Sequence, residues 1–213
     1  MCNRARLSYE PETLRTHFGA DWLAERPMDN RFNPQELVPR GRAYVTRRDD
    51  RGLGIDIMAW DVLGGQAKWP MTNVRNLALP QWRRLAEHPC NRCLIPLSEF
   101  CEWTPDTHDV GGGKPIKGEM WFQVTDQPLF AVAGLWQPLA DGKRGFAMVT
   151  CDPNELVAPI HPKAMITVLE SEDHERWLTG GLNDVLALQQ PYDAARMTVR
   201  GPEFPTRLAP RLM

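Results

Sequence analysis

Cysteine stands second in the chain, directly after Met1. With Met1 removed, Cys2 carries a free α-amine and a thiol on adjacent carbons, a 1,2-aminothiol that no internal cysteine can supply. Model values of roughly 8 for the amine and roughly 8.5 for the thiol leave part of each in its nucleophilic form near neutrality. Such a pair suits an aldehyde. The amine adds to the carbonyl to form a Schiff base, and the tethered sulfur closes a five-membered thiazolidine. Two other residues have the chemistry to assist. Glu102 lies in Phe100-Cys101-Glu102-Trp103, among apolar and aromatic neighbours that raise a carboxyl pKa toward the range useful for proton transfer. His161 lies in Ala158-Pro159-Ile160-His161-Pro162, where rigid proline flanks would hold an imidazole in place.

Other chemistry-bearing runs are weaker. Gly111-Gly112-Gly113-Lys114 is followed by Pro115 where a phosphate-binding loop needs a hydroxyl residue, so it is expected to be a hairpin tip. His88, Cys90, Cys93 and Cys101 contain one C-x-x-C and no second pair at zinc-binding spacing, so neither a metal nor a cofactor is expected.

The elements that must position these groups read as β-rich. Short apolar or alternating runs at 43–46, 53–60, 94–96, 119–124, 129–136, 144–150 and 165–169 predict strands. Helices are predicted at 11–18, with proline in its first turn and Gly19 beyond its end, and at 80–87, 171–178 with Ser171 as N-cap, and 183–189. Helices scattered between strands predict an α+β fold. The expected architecture is a single domain over residues 1–213, with a curved, largely antiparallel, barrel-like β core flanked by short helices. The chain has 213 residues, 42% of them hydrophobic, enough for a real core. A net charge of −2 argues against a globally basic duplex-coating surface, although arginines cluster at 40–51, 83–84 and 196–211. With no long apolar run and five cysteines, an odd number, the sequence predicts a soluble cytoplasmic protein with reduced thiols, monomeric and away from membranes.

Taken together, the pieces resemble the SOS-response-associated peptidase (SRAP) domain family, the abasic-site shield proteins. Met1-Cys2-Asn3-Arg4 is similar to the family opening M-C-G-R, and Thr72-Asn73-Val74-Arg75 to its N-A-R motif. Arg92-Cys93-Leu94-Ile95-Pro96 and Phe100-Cys101-Glu102-Trp103 resemble R-C-L-I-P and F-Y-E-W. The run 130–136 resembles F-A-x-A-G-L-W, and 146–150 with 158–161 resembles the last catalytic block. The resemblance implies covalent capture of the ring-opened abasic sugar in single-stranded DNA, as a thiazolidine on Cys2. It implies that Glu102 shuttles protons, that His161 helps open the sugar, and that Asn73 orients the Cys2 amine. Arg4 and Arg75 would hold flanking phosphates. Association with the nucleoid when bound to DNA, and with replication-fork proteins, belongs to the same expectation.

The chain departs from the family pattern in places. Asn3 replaces a glycine, and the DNA-facing W-G-L-I-P-x-W stretch becomes Trp60-Asp61-Val62-Leu63-Gly64-Gly65, leaving Trp60 as a base-stacking candidate. Asn76-Leu77-Ala78 replaces an acidic continuation. Ala164-Met165-Ile166 replaces R-M-P, so Lys163 stands in for a phosphate-binding arginine, and Arg31-Phe32-Asn33-Pro34 shortens R-Y-N-I-A-P. The residues also leave open an N-terminal-nucleophile amidase or thiol peptidase, with Cys2 attacking an amide, and a non-covalent reader of single-stranded DNA.

Overall fold

Long apolar strands that bury both faces, not amphipathic helices, set the architecture. The computed structural model describes residues 2–23, 35–111, 113–140 and 142–204; the 31–34 motif lies outside them. The strands are β1 (Ala5–Leu7), β2 (Asp21–Trp22), β3 (Gln35–Leu37), β4 (Arg42–Asp49), β5 (Gly52–Ala59), β6 (Asn73–Val74), β7 (Arg92–Leu97), β8 (Glu99–His108), β9 (Ile116–Val124), β10 (Phe130–Pro138), β11 (Arg144–Cys151), β12 (Met165–Ile166), β13 (Val168–Leu169) and β14 (Met197–Glu203). The helices are α1 (Pro11–Phe18), α2 (Pro80–Glu87), α3 (His174–Thr179) and α4 (Leu182–Ala187).

One sheet runs β14-β9-β8-β1-β3 and the other β12-β11-β10-β7-β4-β5-β2. The second closes on itself. β11 also pairs in parallel with β5 through Gly145 and Ala59, so β11, β10, β7, β4 and β5 form a ring. This is the barrel-like core expected of an α+β fold, antiparallel except where β2, β5 and β6 join. β7 and β8 are separated only by Ser98 and carry the chain from one sheet to the other.

Period-two alternation explains why the barrel strands read as unbroken apolar runs. On β7, Cys93, Ile95 and Leu97 point into one core while Leu94 points into the other; on β10, Phe130 and Val132 oppose Ala131, Ala133 and Leu135. The second core lies beneath the helices, where Trp82, Leu85, Trp177 and Val185 cover the outer face. Gly134 is required at its position, since a Cβ there would come within 2.2 Å of Ile95 Cδ1.

Arg92 is fully buried. It donates from Nε to the Ala86 carbonyl (2.8 Å), and from its two terminal nitrogens to Trp177 (3.0 Å), Gly180 (2.7 Å) and Glu87 (3.3 Å). The arginine of the R-C-L-I-P motif therefore caps the carboxyl ends of α2 and α3, where unpaired carbonyls and the helix dipole favour a cation.

β8 and β9 pair antiparallel up to His108 and Ile116, which face each other across the two strands. Ser171 does not cap a helix. Residues Ser171–Asp173 form a 3-10 turn ahead of α3, and the Ser171 hydroxyl donates to Gln127 instead. Among the described residues no helix is long and apolar enough to cross a membrane.

Candidate active site

The start of the chain is held as an edge-to-edge strand. β1 pairs with both β3 and β8, through Ala5 opposite Leu37 and Phe100. The Arg4 carbonyl accepts the Cys101 N–H at 2.9 Å, which extends the pairing past β1 and draws Cys2 toward the Glu102 strand. Cys2 is 1% exposed. Its thiol donates to the Arg4 carbonyl at 3.4 Å, and its own carbonyl accepts from Asn73 Nδ2 at 2.9 Å. Burial, followed by the charge of Glu102, pushes the thiol above its ordinary range, so the sulfur rests protonated.

Glu102 sits mid-strand on β8, 1% exposed. Burial pushes its carboxyl up to about 7, outweighing the opposing pull of the amino-terminal charge. A carboxyl that titrates near neutrality can both give and take a proton at physiological pH. Asn73 is placed by β6, which pairs in parallel with β11. Both of its amide protons are committed, to Cys2 O and to Thr72 Oγ1 (2.8 Å), whereas its buried Oδ1 has no partner among the described residues.

His161 ends a turn built by Asn154. The Asn154 side chain accepts the Val157 N–H (3.0 Å) and donates to the Tyr192 carbonyl (2.7 Å), and the Val157 carbonyl accepts the His161 N–H (2.8 Å). His161 Nδ1 lies 2.7 Å from the Ala164 carbonyl. The Ala164 N–H lies 3.2 Å from the same Nδ1, so both backbone groups of Ala164 hold this side of the ring. Burial lowers the His161 pKa, and the amino-terminal and Lys163 charges push it the same way. Of the four candidates, Asn73 is bonded to Cys2, and the charge of Glu102 acts on the Cys2 thiol. Between them these residues offer an acid-base carboxyl, a neutral imidazole, an amide and an aminothiol precursor. Among the described residues, no three His, Cys, Asp or Glu side chains gather as metal ligands.

The family model described as SOS response associated peptidase (SRAP) matches residues 1–201. The chain belongs to the SRAP family. No curated protein matches it. Among solved structures, it is similar to a protein from Bacteroides thetaiotaomicron, with a TM-score of 0.76 and 19% identity over 96% of this chain and 97% of that one. It is also similar to a protein from Bordetella bronchiseptica, with a TM-score of 0.73 and 21% identity over 93% and 98%. A phage-related protein from the same organism gives a TM-score of 0.70 and 18% identity over 93% of each chain. At these identities the likeness establishes the fold, and the site rests on this chain's own residues.

Within this SRAP chain the expected DNA contacts are unevenly placed. Arg4 is half-buried and bonded to Glu119 and Glu36, and Arg75 to the Cys151 carbonyl and Asp152, so each must exchange partners to grip a phosphate. Lys163 is exposed. Trp60 is a correction: it is fully buried, stacked on Phe146 at 6.3 Å with Nε1 donating to the Thr72 carbonyl, and offers no face to a base.

The most exposed aromatic among the described residues is Trp69, 74% exposed on the loop that leads into Asn73. Asp61 organises that loop. Its carboxylate accepts the N–H groups of Leu63, Gly65 and Met71 and pairs with Arg40, which also donates to the Ala67 and Lys68 carbonyls. Lys68-Trp69-Pro70 held the signal for this feature, an aromatic beside a cation in a glycine-rich loop.

Proposed function

We propose that the protein covalently captures abasic sites in single-stranded DNA and shields them as a thiazolidine on Cys2. The observation that carries this reading is the placement of Cys2. Its backbone is pinned by Asn73, and beside it lies a buried carboxyl whose pKa has moved to about 7. After loss of Met1, the Cys2 amine attacks C1′ of the ring-opened sugar to give a carbinolamine. Glu102 donates the proton on which the hydroxyl leaves as water, producing an iminium. The carboxylate so formed takes back a proton from the thiol, and sulfur attacks the iminium carbon, which neutralises the nitrogen and leaves it as the ring N–H. The sum is aldehyde plus aminothiol giving thiazolidine plus one water. A protonated, buried thiol suits this order, because it stays unreactive until an adjacent electrophile forms.

His161, with a pKa lowered by burial and therefore neutral near pH 7, is suited to deprotonating the sugar hydroxyl during ring opening. Trp69 supplies a face on which a flanking base can stack. Amide hydrolysis by Cys2 would need donors for an oxyanion, and both Asn73 amide protons are already committed.

The test is to incubate protein lacking Met1 with single-stranded DNA bearing one abasic site and to separate the products on a denaturing gel. A slowly migrating DNA–protein band is expected, accompanied by protection of the strand from alkaline cleavage. Free DNA alone, or turnover of peptide substrates by the same preparation, would overturn the reading.

A further inference from the structure

Three side chains form a one-way hydrogen-bond chain that returns to its own starting point. Asn73 Nδ2 donates to the Cys2 carbonyl at 2.9 Å, which fixes which end of the carboxamide is nitrogen, since that carbonyl can only accept. The second amide proton goes to Thr72 Oγ1 at 2.8 Å. The Thr72 hydroxyl in turn donates to Asn3 Oδ1 at 3.0 Å. Asn3 is the residue bonded to Cys2, so the path Cys2–Asn3–Thr72–Asn73 is a closed ring, and the Cys2–Asn3 peptide is pinned by two consecutive residues of the facing segment. That segment is itself anchored, because the Thr72 carbonyl accepts from both Trp60 Nε1 (2.9 Å) and the Met148 N–H (2.9 Å).

The ring has one unfilled position. With both Asn73 protons spent inside it, the buried Asn73 Oδ1 is left as an acceptor without a partner among the described residues. A buried acceptor of this kind is costly unless a donor arrives. We infer that Thr72 and Asn3 are positioning residues: they lock the Asn73 carboxamide so that its vacant Oδ1 receives an N–H of the Cys2 α-amine and aims the amine lone pair at an incoming carbonyl. This rests on the capture reading and deepens it. Asn3, a departure from the family glycine, thereby gains a role that its exposed position in the sequence does not suggest.

Isosteric variants separate hydrogen bonding from shape. Thr72→Val keeps the volume and loses the hydroxyl; Thr72→Ser keeps the hydroxyl and loses the methyl. Protein lacking Met1, confirmed by intact mass, is reacted with formaldehyde as the aldehyde probe and, separately, with abasic single-stranded DNA. The rate of thiazolidine formation is followed by mass. Thr72→Val and Asn3→Ala are each expected to slow the formaldehyde reaction about 10-fold, the size of one lost hydrogen bond, with Thr72→Ser within about 2-fold of wild type. The double variant is expected to be no slower than the slower single one, because both changes break the same ring. Thr72→Val at the wild-type rate, a slow Thr72→Ser, or multiplicative losses in the double variant would overturn the inference. Should Thr72→Val fail to fold, Asn3→Ala at the surface decides the matter alone. If formaldehyde shows the expected ranking while DNA gives no adduct, the capture reading fails and the positioning roles stand.

Discussion

Arg92 reaches out of the barrel wall to the Trp177 carbonyl, 3.0 Å away, and in doing so ties the carboxyl end of α3 to β7. The same guanidinium holds the end of α2. Replacing it leaves buried carbonyls without donors, so Arg92→Met is expected to cost about 2–4 kcal/mol in a urea melt. A loss below about 0.5 kcal/mol would show that these caps are dispensable.

Glu102 links reactivity and stability to pH. Its folded pKa of about 7 lies above the ordinary carboxyl value, so the folded protein holds a proton that the unfolded chain has released. The contribution of this group is therefore most favourable at low pH and is lost as pH rises from about 4.5 toward 7, by on the order of 3 kcal/mol. Glu102→Gln should flatten that part of a stability–pH curve and slow adduct formation about 10- to 1000-fold. Identical curves and rates for the two proteins would remove Glu102 from the chemistry.

His174 acts with the opposite sign. Burial, and secondarily the charge of His17, lowers its pKa to about 4, and its Nε2 is buried. The unfolded chain takes up a proton at higher pH than the folded one does, so stability falls as pH drops from about 6.5 toward 4. In thermal melts between those pH values, His174→Gln should reduce the acid-induced drop in melting temperature; an unchanged slope would contradict this.

Two tryptophans should separate folding from binding. Trp60→Ala empties a core position and is expected to cost about 3–5 kcal/mol. Trp69→Ala, at an exposed position, should leave stability within about 0.5 kcal/mol while weakening single-stranded DNA binding roughly 10-fold, as measured by fluorescence anisotropy. The reverse pattern would contradict the placement of the stacking surface.

The barrel strands were legible because their apolar runs bury both faces, and α1 and α2 because proline opens each of them. β8 was not, as its run Glu99–His108 contains acids and Pro105 that depart from strand composition. Part of this departure is Glu102, which is buried in the middle of the strand. Cys2, Glu102 and His161 stood out as candidates by type and neighbourhood and Asn73 through the family motif, whereas the contacts of Thr72, Asn3 and Asp61 gave no sign in the sequence. Their meaning lies in contacts between segments distant in sequence, such as Asn3 with Thr72. Trp60 was misplaced because an aromatic beside a polar run reads alike whether it stacks on Phe146 or on a base.

Mass mapping of the DNA adduct reaches the centre of the account. Wild-type protein without Met1, mixed with abasic single-stranded DNA, is predicted to give a species equal to protein plus oligonucleotide less one water, with the modification on Cys2 and absent from Cys2→Ala. Failure of correctly trimmed protein to form it, or its undiminished formation by Cys2→Ala, would contradict covalent capture.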